Sequence, residues 1–213
     1  MDTEEGLRER KRRHTRAAIA HAAMQLFAAR GFDQVSVAEI AAAAGVAEKT
    51  VYNYFPAKAE MFFDEASDIL AELLAAVRYR AAGESALAAV GTFVAGRAEW
   101  AAGRRPEQPT PRFRQLIAAS RALQAHQRLM FARYESTLAN LLAQETGAAA
   151  GSVEPFVVSV ALIGVLRAAF EASPGDAKPG RGAAAPALDL LAGGLATYAV
   201  AGRTGQSAAR TGP

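Results

Sequence analysis

Hydrogen-bonding side chains are concentrated in one short stretch of the chain, residues 48–54, with the sequence EKTVYNY. If the stretch is helical, its outer face carries Lys49, Thr50 and Asn53, flanked by Tyr52 and Tyr54. An ammonium group can donate to the acceptor edge of guanine, and a carboxamide can pair with adenine. Because the major groove of double-stranded DNA admits one helix with phosphates on either side, the stretch predicts a helix that reads DNA.

A second short helix is predicted directly before this one, separated from it by a tight turn. Ser36 precedes an apolar run and Glu39 follows three residues later, which is the pattern of a capping box. Gly45 stands where the chain must leave this helix, a position that favours a residue able to adopt positive φ. In the reading helix, Val51 and Phe55 are four residues apart and are expected to face inward together.

The segments GFDQVSVAEIA and AGVAEKTVYNYFPAKAEMF resemble the N-terminal DNA-binding domain of TetR-family transcriptional regulators. The resemblance covers about residues 12–60 and rests on positions at fixed spacing, which makes it far more specific than a lone short motif. Ala47 departs from the family pattern, which usually has a serine there to cap the reading helix. Loss of such a cap typically costs ~1 kcal/mol.

The resemblance implies an all-α fold with an N-terminal helix-turn-helix DNA-binding domain and a C-terminal helical domain for effector binding and dimerisation. We expect the first domain, with a basic N-terminal arm, over residues 1–57, the second over 58–203, and a disordered tail over 204–213. Helical periodicity along the chain predicts about nine helices. They cover 10–30, two short segments within 36–55, 58 to just before Gly83, 85–102, 112–120, 123–146, 153–172 and 186–201.

The DNA-binding hypothesis gives each polar side chain a role. Base edges are assigned to Lys49 and Asn53, with Thr50 able to contact either bases or phosphates. Phosphate contacts, which fix register rather than sequence, are assigned to Ser36, Tyr52, Tyr54 and Lys58. Neighbouring phosphates or the minor groove are assigned to three arginines of the first helix, Arg12, Arg13 and Arg16. For the two tyrosines, partial core packing with exposed hydroxyl groups is an open alternative.

Positive charge is concentrated in the segment that contains the predicted reading helix. Residues 7–58 contain nine Lys or Arg against four Asp or Glu, a net charge of +5, whereas the whole chain carries only +3. Phosphate binding requires such a concentration. A basic run alone would fit a solvated helix equally well, so the charge supports the DNA interpretation only together with the helical motif.

The last two predicted helices contain the nearly apolar segments FVVSVALIGVLRAAF and LDLLAGGLATYAV. A helix with so little polar surface must be buried on several sides, and packing within one chain covers part of each. Two such helices also suit a four-helix interface across a two-fold axis. The family resemblance implies the same interface, so we expect a homodimer formed through these two helices.

Family members commonly bind a small molecule among the helices of the second domain. The resemblance therefore implies an unidentified effector of apolar character that releases the protein from its operator. Candidate pocket residues are aromatic or soft apolar side chains: Phe62, Phe93, Trp100, Phe113, Met130, Phe131, Tyr134 and Phe170. Such a set is more often core packing than a pocket, so a DNA-binding regulator without an effector stays open.

Composition argues against the other classes of protein. The chain has no cysteine, which excludes disulfides and thiolate metal sites and fits a reducing cytoplasm. Its three histidines lack metal-ligand spacing and no G-x-S-x-G motif occurs, so we predict no catalytic residue, metal or cofactor. No signal peptide is evident, and the longest apolar run, 156–166, is too short to span a bilayer. We expect a cytoplasmic regulator, with repression as the family default; a helical membrane-surface or scaffold protein is the alternative.

Overall fold

A computed structural model describes residues 2–104, 111–149, 152–171 and 184–195, which form ten α-helices and no strand. The helices are α1 (Asp2–Arg30), α2 (Val37–Ala43), α3 (Glu48–Tyr54), α4 (Lys58–Phe62), α5 (Ala66–Arg78), α6 (Ala86–Arg104), α7 (Pro111–Ala119), α8 (Arg121–Thr146), α9 (Glu154–Glu171) and α10 (Ala185–Leu195). The predicted all-α class is confirmed. The tail predicted over 204–213 lies outside the described residues.

The single helix predicted from Lys58 to just before Gly83 is wrong, because the chain leaves the helical path at residues 63–65 and forms α4 and α5 instead. Phe62 and Phe63 are both buried, although successive helical side chains point about 100° apart. The backbone of Phe63 adopts φ −104° and ψ 37°, which ends α4. Burial of two adjacent rings therefore accompanies the break, and the described residues form ten helices where nine were predicted.

The first helix also differs from its prediction, because α1 begins at Asp2 rather than near residue 10. Residues 2–9 are mostly acidic, basic or leucine side chains, which favour helix, and the acidic ones lie at the N-terminus, where the helix dipole favours negative charge. At its other end α1 stops at Gly31, whose φ of 87° no longer fits the helix.

The chain divides into two compact units. Unit 1 consists of Met1–Ser67 and Pro111–Arg128, and unit 2 consists of Asp68–Thr110 and Leu129–Pro213. Unit 1 therefore contains α1–α4 and also α7 with the first turns of α8. It has an aromatic core in which Phe62 stacks on Phe113 with ring centroids 4.2 Å apart, while Phe27 packs against Phe32 at 4.9 Å.

Polar contacts fasten α7 and α8 to the N-terminal part of unit 1. Arg112 directs both Nε and Nη2 to the carbonyl oxygen of Ala28, at 3.1 and 2.6 Å. The hydroxyl of Ser120 donates to the Asp33 carboxylate at 2.8 Å. These contacts join segments that lie far apart in the sequence, so the position of α7 and α8 in unit 1 was not evident from local patterns.

Unit 2 is built from α5, α6, α9, α10 and the greater part of α8 around a core of aliphatic side chains. Leu73, Val90, Leu138 and Leu162 are completely buried there. The side chain of Leu188 on α10 would lie 3.2 Å from a Cβ placed on Gly91, so the glycine permits α6 and α10 to approach closely. None of the helices within the described ranges is long and apolar enough to cross a membrane.

A buried guanidinium organises the loop between α5 and α6. The side chain of Arg80 is 4% exposed, pairs with the Glu145 carboxylate at 2.8 Å, and donates to the carbonyl oxygens of Glu84 and Val77. A buried charge costs free energy unless it is paired and hydrogen-bonded, and these acceptors supply both conditions. The contact ties the loop to the C-terminal end of α8.

Replacing Arg80 with alanine is expected to lower the free energy of unfolding by about 2–4 kcal/mol, because the buried acceptors lose their donor. Denaturant titration monitored by circular dichroism measures this as a lower midpoint. The neighbouring exposed Arg78 provides a matched control, and Arg78→Ala is expected to change the free energy of unfolding by no more than about 0.5 kcal/mol. Equal losses in the two variants would contradict the stabilising role of Arg80.

Candidate nucleic-acid interface

The helix that precedes the reading helix is fixed by the predicted capping box. The Ser36 hydroxyl accepts from the backbone N–H of Glu39 at 3.2 Å, and the Glu39 carboxylate accepts from the backbone N–H of Ser36 at 2.8 Å. The same carboxylate accepts from the Ser36 hydroxyl and pairs with Arg30, each at 2.8 Å. The Ser36 backbone N–H, then its hydroxyl, then Arg30 lower the pKa of Glu39 to about 2. The start of α2 is thus held by both ends of the box.

The turn between α2 and α3 depends on Gly45, as the sequence predicted. Gly45 has φ 67°, a conformation that residues with a side chain rarely adopt. The N–H of Val46 donates to the carbonyl of Ala41 at 3.0 Å, which closes the end of α2. The turn therefore sets the direction in which α3 leaves α2.

One face of α3 is anchored and the other is open. Val51 and Phe55, at the inner face, are completely buried in unit 1. The outer face exposes Lys49, Tyr52 and Asn53, with Thr50 and Tyr54 half-buried. We call Lys49, Thr50, Tyr52 and Asn53 the reader face. It presents an ammonium, a hydroxyl, a phenol and a carboxamide together, which is the set that can hydrogen-bond to base edges and phosphates.

The N-terminus of α3 has no side-chain cap, because Ala47 occupies the N-cap position. Its backbone lies at φ −73° and ψ 148°, the extended conformation of an ordinary N-cap residue. The carbonyl of Ala47 already accepts from Thr50 and Val51, but alanine offers no oxygen to the first N–H groups. The backbone at position 47 thus has the conformation of a capping residue, but alanine has no side-chain group that can cap the helix.

Two residues assigned to phosphates make internal contacts. The Ser36 hydroxyl is engaged in the capping box, and the Lys58 ammonium donates to the carbonyl oxygens of Phe32 and Val35 at 3.0 and 2.9 Å. The ammonium also lies 4.2 Å from the centre of the Phe32 ring. Desolvation lowers the pKa of Lys58, against the opposing effect of Asp33. These acceptors could not be predicted from the sequence, because backbone carbonyls between helices leave no signal in residue types.

The three arginines of α1 fall into two groups. Arg12 and Arg13 lie within residues 6–14, every one of which is exposed. Arg16 is half-buried instead and contacts the end of α3: its Nη1 donates to the carbonyl oxygen of Tyr54 at 2.9 Å. The structure therefore leaves two arginines of the predicted arm in solvent and turns the third inward.

The effector candidates do not form one set. Phe62 and Phe113 belong to the aromatic core of unit 1, where they stack on each other. Three others meet in unit 2, since Phe131 packs edge-on against Tyr134 and Phe170 with centroids 6.0 and 6.2 Å away. Burial raises the pKa of the Tyr134 phenol.

The remaining effector candidates also belong to unit 2. Phe93 is half-buried on α6, with the Arg97 guanidinium 6.0 Å from its ring, and Met130 is half-buried on α8. Trp100 lies on α6, but its side chain is outside the described residues. An aromatic cluster in unit 2 around Phe131 is thus the part of the predicted pocket that the structure brings together.

Family profiles match both parts of the chain. The profile described as bacterial regulatory proteins of the tetR family matches residues 19–64, which contain α2, α3 and α4. The profile described as the MftR C-terminal domain matches residues 85–196, more than half of the chain. The two profiles cover the helix-turn-helix and most of unit 2.

Known proteins give the same result. The chain is 31% identical over 172 residues to MftR of Mycobacterium tuberculosis, described as a mycofactocin biosynthesis transcriptional regulator, covering 76% of this chain and 81% of that protein. It is 40% identical over 85 residues to the HTH-type transcriptional regulator TcmR of Streptomyces glaucescens, covering 40% of this chain and 38% of TcmR. The relatives are regulators, in agreement with the prediction of a regulator rather than an enzyme.

Among solved structures, the fold is similar to that of NalD, the secondary repressor of the MexAB-OprM multidrug efflux pump in Pseudomonas aeruginosa. The TM-score is 0.55 at 19% identity, with 87% of this chain and 97% of NalD covered. At this level of identity the likeness concerns the fold alone.

Replacing Ala47 with serine is expected to raise the free energy of unfolding by about 1 kcal/mol, because a hydroxyl at the N-cap satisfies a free N–H of α3. Denaturant titration of the protein, monitored by signals from unit 1 such as the NMR resonances of Tyr52 and Tyr54, measures the change. Ala42→Ser is the matched control, since Ala42 is exposed inside α2, where serine slightly weakens a helix. No gain for Ala47→Ser relative to Ala42→Ser would show that α3 does not lack a cap.

Proposed function

Since the chain belongs to the TetR family of bacterial regulatory proteins, we propose that it regulates transcription by laying α3 into the major groove of an operator. The chain is a DNA-binding transcriptional regulator. The observation that carries the proposed mode of binding is the reader face, which is open to solvent while Val51 and Phe55 beneath it are completely buried. We propose that the protein acts in the cytoplasm as a repressor.

In the proposed complex, the reader face and the exposed arginines of α1 have separate roles. Lys49 and Asn53 contact base edges and so select the operator sequence, with Thr50 contributing to either bases or phosphates. Phosphates are held by the phenols of Tyr52 and Tyr54 and by the exposed Arg12 and Arg13. The hydroxyl of Ser36 and the ammonium of Lys58 act indirectly, since their internal bonds hold the segments that flank α2.

We further propose that two copies pair through α9 and α10. Phe156, Val157 and Val160 recur on one face of α9, with the exposed Val153 directly before the helix, and Phe156 and Val157 are 53% and 60% exposed. On α10, Leu190 is 83% exposed beside the exposed Gly193 and Gly194. A contiguous apolar face of this kind marks an interaction site, and a second copy offers a complementary face across a two-fold axis. Pairing also supplies two reading helices for two half-sites.

The effector part of the proposal rests on unit 2. We propose that an apolar small molecule binds near the aromatic cluster of Phe131, Tyr134 and Phe170, and that it releases the protein from its operator. The Arg167 guanidinium lies 4.6 Å from the centre of the Phe131 ring, so a charged group borders this cluster. To act, the molecule must bind the DNA-competent and released conformations with different affinities. A regulator without an effector is the alternative.

Selection of genomic fragments by the purified full chain, followed by sequencing, tests the function directly, and an enriched palindromic site is the expected result. Lys49→Ala and Asn53→Ala are each expected to cost about 1–3 kcal/mol at the preferred site and to relax the preference at particular base positions. The Gln144→Ala variant carries its substitution at an exposed position of α8 and is the control for effects of preparing a variant protein. Unchanged selectivity after removal of both Lys49 and Asn53 would contradict the reader face.

The dimer proposal is tested by Phe156→Asp, which places a charge in the exposed apolar face of α9. The expected result is a monomer by analytical ultracentrifugation at concentrations where the wild type is a dimer, because burying an unpaired carboxylate is costly. Leu129→Asp is the matched control, since Leu129 is an exposed leucine on α8, outside this face, and the dimer should persist. A dimeric Phe156→Asp variant would exclude pairing through α9.

A further inference from the structure

The side chain of Arg16 connects three separate parts of unit 1. Its Nη1 donates to the carbonyl oxygen of Tyr54 at 2.9 Å, and its Nη2 pairs with the Asp64 carboxylate at 2.7 Å. Its guanidinium carbon lies 4.2 Å from the centre of the completely buried Phe55 ring. One guanidinium thus contacts the last residue of α3, the residue after α3, and the turn between α4 and α5. We call this set of contacts the Arg16 clamp.

The end of α3 needs an external donor. Carbonyl groups in the last turn of a helix have no intrahelical partner, and Pro56 follows too soon for the helix to continue and brings no N–H of its own. The carbonyl of Tyr54 is one of these groups, and Arg16 satisfies it from α1. Because α3 has only seven residues and no side-chain cap at Ala47, this bond adds a constraint at the C-terminal end of a helix that depends on tertiary contacts.

Asp64 forms an ion pair with the same guanidinium. Its carboxylate lies in the non-helical residues 63–65 and faces Nη2 of Arg16, while Nη1 faces the carbonyl of Tyr54. The stacking on Phe55 adds a third constraint, since a guanidinium lies favourably over an aromatic face. A lysine at this position would keep the charge but would lack the planar pair of donors.

We infer that Arg16 is a positioning residue for the reading helix: it sets the orientation of α3 through Tyr54 and Asp64 and is not a phosphate contact. The inference rests on the proposed function, because orientation matters for an operator only if the reader face meets DNA. It distinguishes Arg16 from Arg12 and Arg13, whose side chains lie in solvent on the same helix. It also gives a role to Asp64, an acidic residue that would not be expected to contact DNA.

The experiment measures operator affinity of the full chain at several salt concentrations for Arg16→Lys, Arg16→Gln, Asp64→Asn and Arg12→Gln. Arg16→Lys and Arg16→Gln are expected to lose at least about tenfold in affinity, with the slope of log affinity against log salt unchanged. Arg12→Gln is expected to lower that slope by about 0.9, the value for one phosphate contact. Asp64→Asn is expected to weaken binding severalfold although it removes a negative charge, which by itself would strengthen binding to DNA.

Amide hydrogen exchange of the free protein supplies a second readout. Residues 48–55 are expected to exchange faster in Arg16→Gln and Asp64→Asn, whereas residues 158–165 of α9 keep the wild-type rate. Arg30→Gln is the matched control, because Arg30 also lies on α1 in an exposed ion pair but contacts Glu39 rather than α3. It is expected to leave the exchange of α3 unchanged.

Two outcomes would overturn the inference. In one, the Asp64→Asn variant binds the operator as tightly as the wild type or more tightly. Asp64 would then affect DNA binding only through its negative charge. In the other, Arg16→Gln lowers the salt slope by about 0.9 with the exchange of α3 unchanged, as a phosphate contact would. If the wild type selected no operator at all, the proposed function would fail, while the exchange of residues 48–55 would still test the clamp.

Discussion

The formation and orientation of α3 depend on the burial of Val51 and Phe55 beneath it. A helix of seven residues is unstable alone in water, so its tertiary contacts decide whether it forms and which way it faces. With these two side chains completely buried, the opposite face has to point to solvent. Lys49, Tyr52 and Asn53 are exposed for that reason. The surface available to DNA is therefore a consequence of the core packing of unit 1.

Around this anchor, polar side chains are divided between internal and external use. Ser36, Glu39 and Lys58 bond to backbone groups near the ends of α1 and α2, and Arg16 bonds to the end of α3. Lys49 on α3 and Arg12 and Arg13 on α1 are among the cations that stay in solvent. A basic segment thus contains both the groups that build the helix-turn-helix and the groups available for phosphates, and total charge alone cannot separate them.

Local patterns predicted the local features of unit 1. The capping box of Ser36 and Glu39, the turn at Gly45 and the missing cap at Ala47 all follow from residue type and spacing over a few positions. The break after Phe62 was not predicted, because helical periodicity continues through it and the cause is the burial of two adjacent rings. The partners of Lys58 and Arg16 were missed as well, since they are backbone carbonyls of residues distant in the sequence.

Because the sequence contains no cysteine, a single introduced thiol can test directly whether α3 lies in the major groove. In Asn53→Cys the only thiol lies on the reader face, and it can form a disulfide with an operator that carries a thiol-tethered base. If α3 lies in the major groove, cross-linking is rapid at one defined base position in each half-site, and Gln144→Cys on the exposed face of α8 does not cross-link. Equal cross-linking of the two variants, or none at position 53 with operator affinity intact, would contradict the claim that α3 reads the groove.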